Sequence, residues 1–264
     1  MPPSYKTITQ RTFNNKVKDH NLWLSSKYKL GKKLYLKNID IRNLNISKLN
    51  FRDISLHSCN LSNMDFTKYN LNEAIFVGCL MRECNFEKVN LRRTVFDTCT
   101  LNKSNFKAAK VKKAFFRDCS MRACNLSNAS FIDAEITHSQ LTYSNLSHTN
   151  FSNSAIVFSK VYKTKLNNTI FTSAYLEETD FPDIQLEIGK IYHLNPLRYD
   201  LFLPSSEEVI NFSKDSIAMI LSQGTDSFTM LFEDSMYSDI PNWVKRAAIG
   251  VKAEIDNSLT PEST

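Results

Sequence analysis

Six cysteines and five histidines are the side chains in this 264-residue sequence most able to hold a metal, form a disulfide or act as nucleophiles. A zinc knuckle needs ligands two to four residues apart. The nearest cysteine pairs, Cys79 with Cys84 and Cys119 with Cys124, are five apart. The cysteines run instead in steps of twenty: Cys59, Cys79, Cys99 and Cys119, with Cys84 and Cys124 forty apart. Cysteines stacked at such a step lie near bridging distance. They also serve as small buried apolar groups in a slot that takes Ala, Ser and Thr. The second use leaves free thiols, which are expected in a reducing compartment. His20, His57, His138, His148 and His193 do not pair at metal spacing. No Gly-rich phosphate loop and no nucleophile elbow occurs. The sequence predicts no catalytic residue, no metal site and no cofactor.

Two further sets are suited to binding. Ile75, Val95 and Phe115 follow one another at twenty-residue steps, with Val77 beside them and Val157, Phe158 and Tyr175 further along. Stacked apolar groups on a surface need a reason. They fit a protein partner or a second copy, and equally a site covered by the chain's own N-terminal segment or C-terminal tail. Arg92 and Arg93 precede Lys112 and Lys113 by twenty, with Lys110 and Arg52 nearby. Lys48, Lys68 and Lys88 form another such row. These rows suit phosphate or an acidic protein surface, or simply a solvated face. Aromatic residues do not interleave with them, so stacking of single-stranded bases on them is not expected.

The elements that would position these residues follow from a repeat. From Leu36 to Phe181 an apolar residue recurs at every fifth position, thirty in all, through Phe66, Phe76, Phe86, Phe96, Phe106 and Phe116. On an α-helix a step of five moves round the axis by about 140°, and on a flat strand it flips faces. Only a chain that turns a corner every five residues keeps all thirty inward. Two residues before each centre lies a second column, which from Ala74 onward holds nothing larger than Val. A large centre with a small companion fills a narrow interior. Twenty-residue ladders of like on like predict four sides per coil. About seven coils at ~4.8 Å make a rod on the order of 35 Å long.

Cys59-Asn60-Leu61-Ser62-Asn63, Ser104-Asn105-Phe106 and Cys124-Asn125-Leu126-Ser127-Asn128 resemble the pentapeptide-repeat consensus of a small residue, Asn or Asp, Leu or Phe, and two polar residues. The resemblance spans residues 34–181 and implies a right-handed quadrilateral β-helix. The Asn/Asp position departs from that pattern at Ile75, Leu80, Val95, Lys110, Phe115 and Ile170.

The expected organisation is a helical N-terminal cap over 1–33, the β-helix over 34–186 and a C-terminal helical module over 187–264. In the cap, residues 8–25 read as a helix carrying Phe13, Val17 and Leu24. In the module, Ser205-Ser206-Glu207-Glu208 reads as a capping box, with further helices over 225–237 and from Pro241 onward. These three helices suit capping or homodimerisation. No run is long and apolar enough to span a membrane. The polar stretch Met1–Gln10 predicts no secretory signal, which leaves signal-independent secretion open. Residues 1–33 carry 8 Lys/Arg and 1 Asp/Glu, residues 34–181 carry 19 and 13, and residues 182–264 carry 6 and 13. The expected function is a non-catalytic, cytoplasmic, protein-binding scaffold. The resemblance also implies a topoisomerase-protecting protein, a role that relatives fill by imitating DNA with an acidic rod. The basic repeat region speaks against it. Binding of nucleic acid or an anionic surface through the basic rows is the third reading.

Overall fold

The computed structural model describes residues 5–171, 174–177 and 179, with the segments 191–193, 201–203, 208–210, 217–223, 227–232 and 235–241. Eight three-residue strands form one parallel sheet in sequence order: β1 (Tyr35–Lys37), β2 (Ser55–His57), β3 (Ile75–Val77), β4 (Val95–Asp97), β5 (Phe115–Arg117), β6 (Glu135–Thr137), β7 (Ala155–Val157) and β8 (Tyr175–Glu177). Every strand is shifted by twenty residues from its neighbour, as in Phe76↔Phe96↔Phe116. The other three sides are ladders of single bridges, such as Asn85↔Asn105↔Asn125 and Asn90↔Lys110↔Ser130. The chain therefore winds a four-sided coil of twenty residues.

The four sides differ because the residue before each centre differs. On the bridge-only sides that residue is often Asn or Asp. Its side-chain oxygen accepts from the backbone N–H two residues on, as Asn90 does from Arg92 at 3.1 Å and Asn105 from Lys107 at 3.1 Å. This local bond folds the chain into a tight turn, closed by contacts such as Ala109 N–H to Phe106 O at 2.9 Å. The sheet side has Ile75, Val95 and Phe115 at that position, which cannot make the bond and favour strand. The departures from the consensus at these three residues mark the flat side of the rod.

Nearly every corner from Asp53 onward holds a left-handed residue, and the chain supplies almost any type: Asn63 (φ 64°), Glu83 (φ 56°), Lys103 (φ 61°) and Tyr143 (φ 64°). A side chain at such a φ costs on the order of 1–2 kcal/mol. The coil above offsets that cost by accepting the N–H, as Arg122 O does from Lys103 at 2.8 Å.

The centres are buried from Leu36 to Leu176, apart from the partly buried Ile46. Phe86 stacks on Phe66 and Phe106 at 5.0 and 4.7 Å, and Phe96 on Phe76 and Phe116 at 5.2 and 4.9 Å. The two columns meet edge to face at Phe86–Phe96 and Phe106–Phe116. The small column is buried as well, apart from the partly buried Leu44, Met64, Tyr69 and Thr164, and it carries polar work. Ser104 Oγ donates to Met81 O at 2.8 Å and Thr149 Oγ1 to Leu126 O at 2.8 Å, in each case to the carbonyl 23 residues earlier.

The first coil is covered by α1 (Gln10–Ser25), capped by Thr9, whose hydroxyl accepts from Thr12 N–H at 3.2 Å. The expected helix is present. Phe13, Val17 and His20 are its buried residues. His20 Nε2–H lies 3.0 Å from the carbonyls of both Asn50 and Arg52, and Nδ1 accepts from Leu34 N–H at 3.1 Å. The imidazole thus ties the helix to two points of the first coils. Burial lowers its pKa, against the pull of the Arg52 and Asn50 carbonyls; Asp53 raises it slightly and Lys33 lowers it.

The C-terminal expectation is corrected. Residues 208–210 and 217–241, where described, are strands and not helices. β9 (Ile191–His193), β12 (Ile217–Gln223), β13 (Ser227–Phe232) and β14 (Ser235–Pro241) make an antiparallel sheet of order β14-β13-β12-β9, and β10 (Leu201–Leu203) pairs antiparallel with β11 (Glu208–Ile210). The run Ile217-Ala218-Met219-Ile220-Leu221 is continuously apolar, and such a run suits a buried strand as well as a helix. The helix expected to open at Pro241, the end of the repeat near Phe181 and the boundary at 186–187 lie outside the described residues.

Two outcomes test this architecture. Phe106→Ala is expected to lower the unfolding free energy by about 3–5 kcal/mol in denaturant titration, while exposed Lys107→Ala stays within about 0.5 kcal/mol. His20 bears on pH. Its folded pKa lies below the unfolded value of about 6.5, so its stabilising effect is complete above that value and fades as pH falls through the folded pKa. The protection of the amides of residues 10–25, referred to the intrinsic exchange rate at each pH, should fall between about pH 7.5 and pH 5.5, and that fall should be absent in His20→Gln.

Candidate protein-binding face

The sheet β1–β8 turns its centre residues inward and its two flanking columns outward. One outward column reads Ser55, Ile75, Val95, Phe115, Glu135, Ala155, Tyr175 in direct register. The other reads His57, Val77, Asp97, Arg117, Thr137, Val157. Parallel sheets usually have both faces covered. Here Phe115 is 42% exposed, and Ile75, Val77 and Val95 are half-buried.

The seven apolar candidates therefore share one side of the rod but fall into two groups. Ile75, Val77, Val95 and Phe115 are contiguous. Val157, Phe158 and Tyr175 lie beyond Glu135 and Thr137, which interrupt the stripe. Phe158 occupies a corner at φ 51° and stacks on His138 at 5.1 Å. A shallow depression of about 260 Å³ lies next to Phe115, lined by Val95, Asp97, Arg117, Glu135 and Thr137. Arg117 is ion-paired with Asp97, and Glu135 adds a second carboxylate to the margin of the depression.

The basic residues occupy the adjoining side. Arg92, Arg93, Lys110, Lys112 and Lys113 are all exposed. Two have carboxylate partners one coil away: Arg93 pairs with Glu73 at 3.5 Å and Lys112 with Asp133 at 3.4 Å. The row is less bare than its own residues suggest, because the flanking coils bring acids to it.

A third group escaped the sequence reading. At an opposite corner the Arg122 guanidinium lies 5.8 Å from the Tyr143 ring centroid and Lys163 Nζ lies 5.4 Å from it. Lys163 Nζ also donates to the Tyr143 hydroxyl at 3.4 Å. The signal was present: Tyr143 and Lys163 are twenty apart, in a position where other coils carry Glu83, Lys103 and Ala123.

The six cysteines are free and buried. Their thiols occupy the hydroxyl position of the small column. Cys84 Sγ donates to Leu61 O at 3.1 Å and Cys124 Sγ to Leu101 O at 3.1 Å, again 23 residues back. Burial pushes both of these thiols up to about 12. Burial and the neighbouring Cys119 thiol raise Cys99 further. Among the described residues no group of three His, Cys, Asp or Glu could hold a metal ion.

The family model for a pentapeptide repeat region matches residues 34–106, 49–121 and 69–146. Residues 34–146 are a pentapeptide-repeat region. Solved structures similar to the repeat rod include QnrB1, a plasmid-mediated fluoroquinolone resistance protein, at 20% identity over 59% of this chain and 87% of that one, with a TM-score of 0.44. HetL of the cyanobacterium Nostoc, involved in heterocyst differentiation regulation, matches at 18% identity over 60% and 77%, with a TM-score of 0.35. A pentapeptide repeat protein of the Arabidopsis thaliana thylakoid lumen matches at 24% identity over 52% and 71%, with a TM-score of 0.29. A comparison with curated proteins gives no match.

A thiol titration checks the core of the rod. At about pH 8 the native protein is expected to show no thiol to Ellman's reagent within minutes, and all six on unfolding in guanidinium.

Proposed function

We propose that this pentapeptide-repeat rod is a non-catalytic scaffold that holds a protein partner against its flat side, at Ile75, Val77, Val95 and Phe115, with Val157, Phe158 and Tyr175 as a second contact. One observation carries the reading. Three outward apolar side chains stand in strict register across β3, β4 and β5, on the open face of a sheet whose other face is the core. A rigid stripe of this kind loses little conformational entropy on binding. Apolar contacts ringed by polar groups such as Asp97, Arg117 and Glu135 match the anatomy of protein interfaces. The buried free thiols favour a reducing compartment as the place of action. Among the described residues no helix is long and apolar enough to cross a membrane.

The other readings draw less support. An acidic, DNA-like rod does not fit a repeat region with 19 Lys/Arg against 13 Asp/Glu. Homodimerisation through C-terminal helices loses its device over 208–241, where the described residues are strands.

The test compares wild-type protein with Val95→Asp/Phe115→Asp in quantitative pull-downs from the native host, with Arg92→Glu/Lys113→Glu as a control on the adjoining side. Partners retained by wild type and control should be lost at least tenfold from the apolar-face variant, a loss of about 1.4 kcal/mol or more. An unchanged captured set removes the flat side from the binding role.

A further inference from the structure

The carboxylates of the rod are not spread evenly around it. Coils four to seven expose two adjoining sides through residues 99–108, 119–128, 139–148 and 159–168. These forty residues contain Lys103, Lys107, Arg122, Lys160, Lys163 and Lys165, and no Asp or Glu. All six cations are exposed. Elsewhere the protein balances its charge ladders across coils, as in Arg93–Glu73, Lys112–Asp133 and Arg117–Asp97. Lys103 alone of the six has an ion pair among the described residues, with Glu83 on the coil below.

The corner between these two sides is also built in an unusual way. Tyr143 stands there at φ 64° and 52% exposed. An aromatic side chain in that conformation costs more than the Asn used at equivalent corners by Asn63, Asn128 and Asn153. The fold does not need the ring. The ring instead holds two like charges, Arg122 from the coil below and Lys163 from the coil above, through cation–π contacts. Lys103, Arg122, Tyr143 and Lys163 thus occupy four successive coils, a line of about 14 Å along one edge.

We infer that this edge binds the phosphodiester backbone of nucleic acid. The charge is strung along a line, as phosphates are. The outward groups beside it include the hydroxyl of Thr100 and the amides of Gln140 and Asn145, which can donate to phosphate oxygens. Large aliphatic groups that would enter a bilayer do not accompany them. Both cations lie against the Tyr143 ring, so contact runs through phosphates and not through base stacking, and recognition is independent of sequence. This site is separate from the flat side and stands or falls independently of the protein-binding reading.

The test is fluorescence anisotropy of a labelled mixed-sequence DNA duplex over a salt series. Log K should fall linearly with log salt at a slope of about −3 to −5, as for neutralisation of three to five phosphates. Arg122→Glu/Lys163→Glu, checked for an unchanged circular dichroism spectrum, should bind at least about tenfold more weakly at about 50 mM salt. Should that pair disturb folding, Lys160→Gln/Lys165→Gln is expected to flatten the slope by about two. Val95→Asp/Phe115→Asp and Arg92→Glu/Lys113→Glu should bind as wild type. The inference is overturned by absence of DNA binding at about 50 mM salt. It is equally overturned by binding that the edge variants leave intact, by equal loss in the Arg92/Lys113 variant, or by capture of phosphatidylserine vesicles without DNA.

Discussion

Everything in this rod depends on one register, in which each residue lies above its equivalent twenty positions earlier. Backbone N–H groups on all four sides donate to the neighbouring coil, and the slot hydroxyls and thiols donate to carbonyls 23 residues back. A shift of a single residue would turn core centres outward and leave those buried donors without acceptors, at a cost of the order of 1–3 kcal/mol for each. The repetition makes this constraint cumulative, and a rigid, straight surface is its consequence.

That register also explains the cysteines. Thiols in the same slots as Ser and Thr act as weak donors to a buried carbonyl and as small apolar fillers. The raised pKa of Cys84 and Cys124 keeps both as thiols, which is the form the slot accommodates. The chemistry that their number and spacing suggested is thereby put to structural use.

Stacking like on like has an electrostatic side. Repeated cations repel across a coil spacing of about 4.8 Å, and the rod relieves this in most places by placing an acid one coil away. The relief is distributed by side. The flat face has its Asp97–Arg117 pair at the margin of an apolar stripe, the adjoining basic face borrows Glu73 and Asp133, and the Arg122–Tyr143–Lys163 edge substitutes an aromatic ring for a carboxylate. A single solenoid thus presents sides with different chemistry, which a globular surface of this size seldom keeps apart.

By itself the sequence determined the four-sided coil, because thirty apolar residues at period five admit no helix or flat strand, and because Cys59, Cys79, Cys99 and Cys119 reveal a twenty-residue turn. It also determined that Phe13 and Val17 belong to a capping helix, since their spacing repeats at helical period. The tertiary structure decided which side is the sheet, because the missing Asn at Ile75, Val95 and Phe115 gains meaning only when all three stack. It divided the seven apolar candidates at Glu135, and it brought Glu73 and Asp133 onto the basic row from other coils. It placed Tyr143 between Arg122 and Lys163, a contact across two coils that no local window contains. It also turned the apolar run at Ile217–Gln223 into a strand, because a short, continuously apolar segment carries no period of its own and takes its conformation from the hydrogen-bond partners it finds.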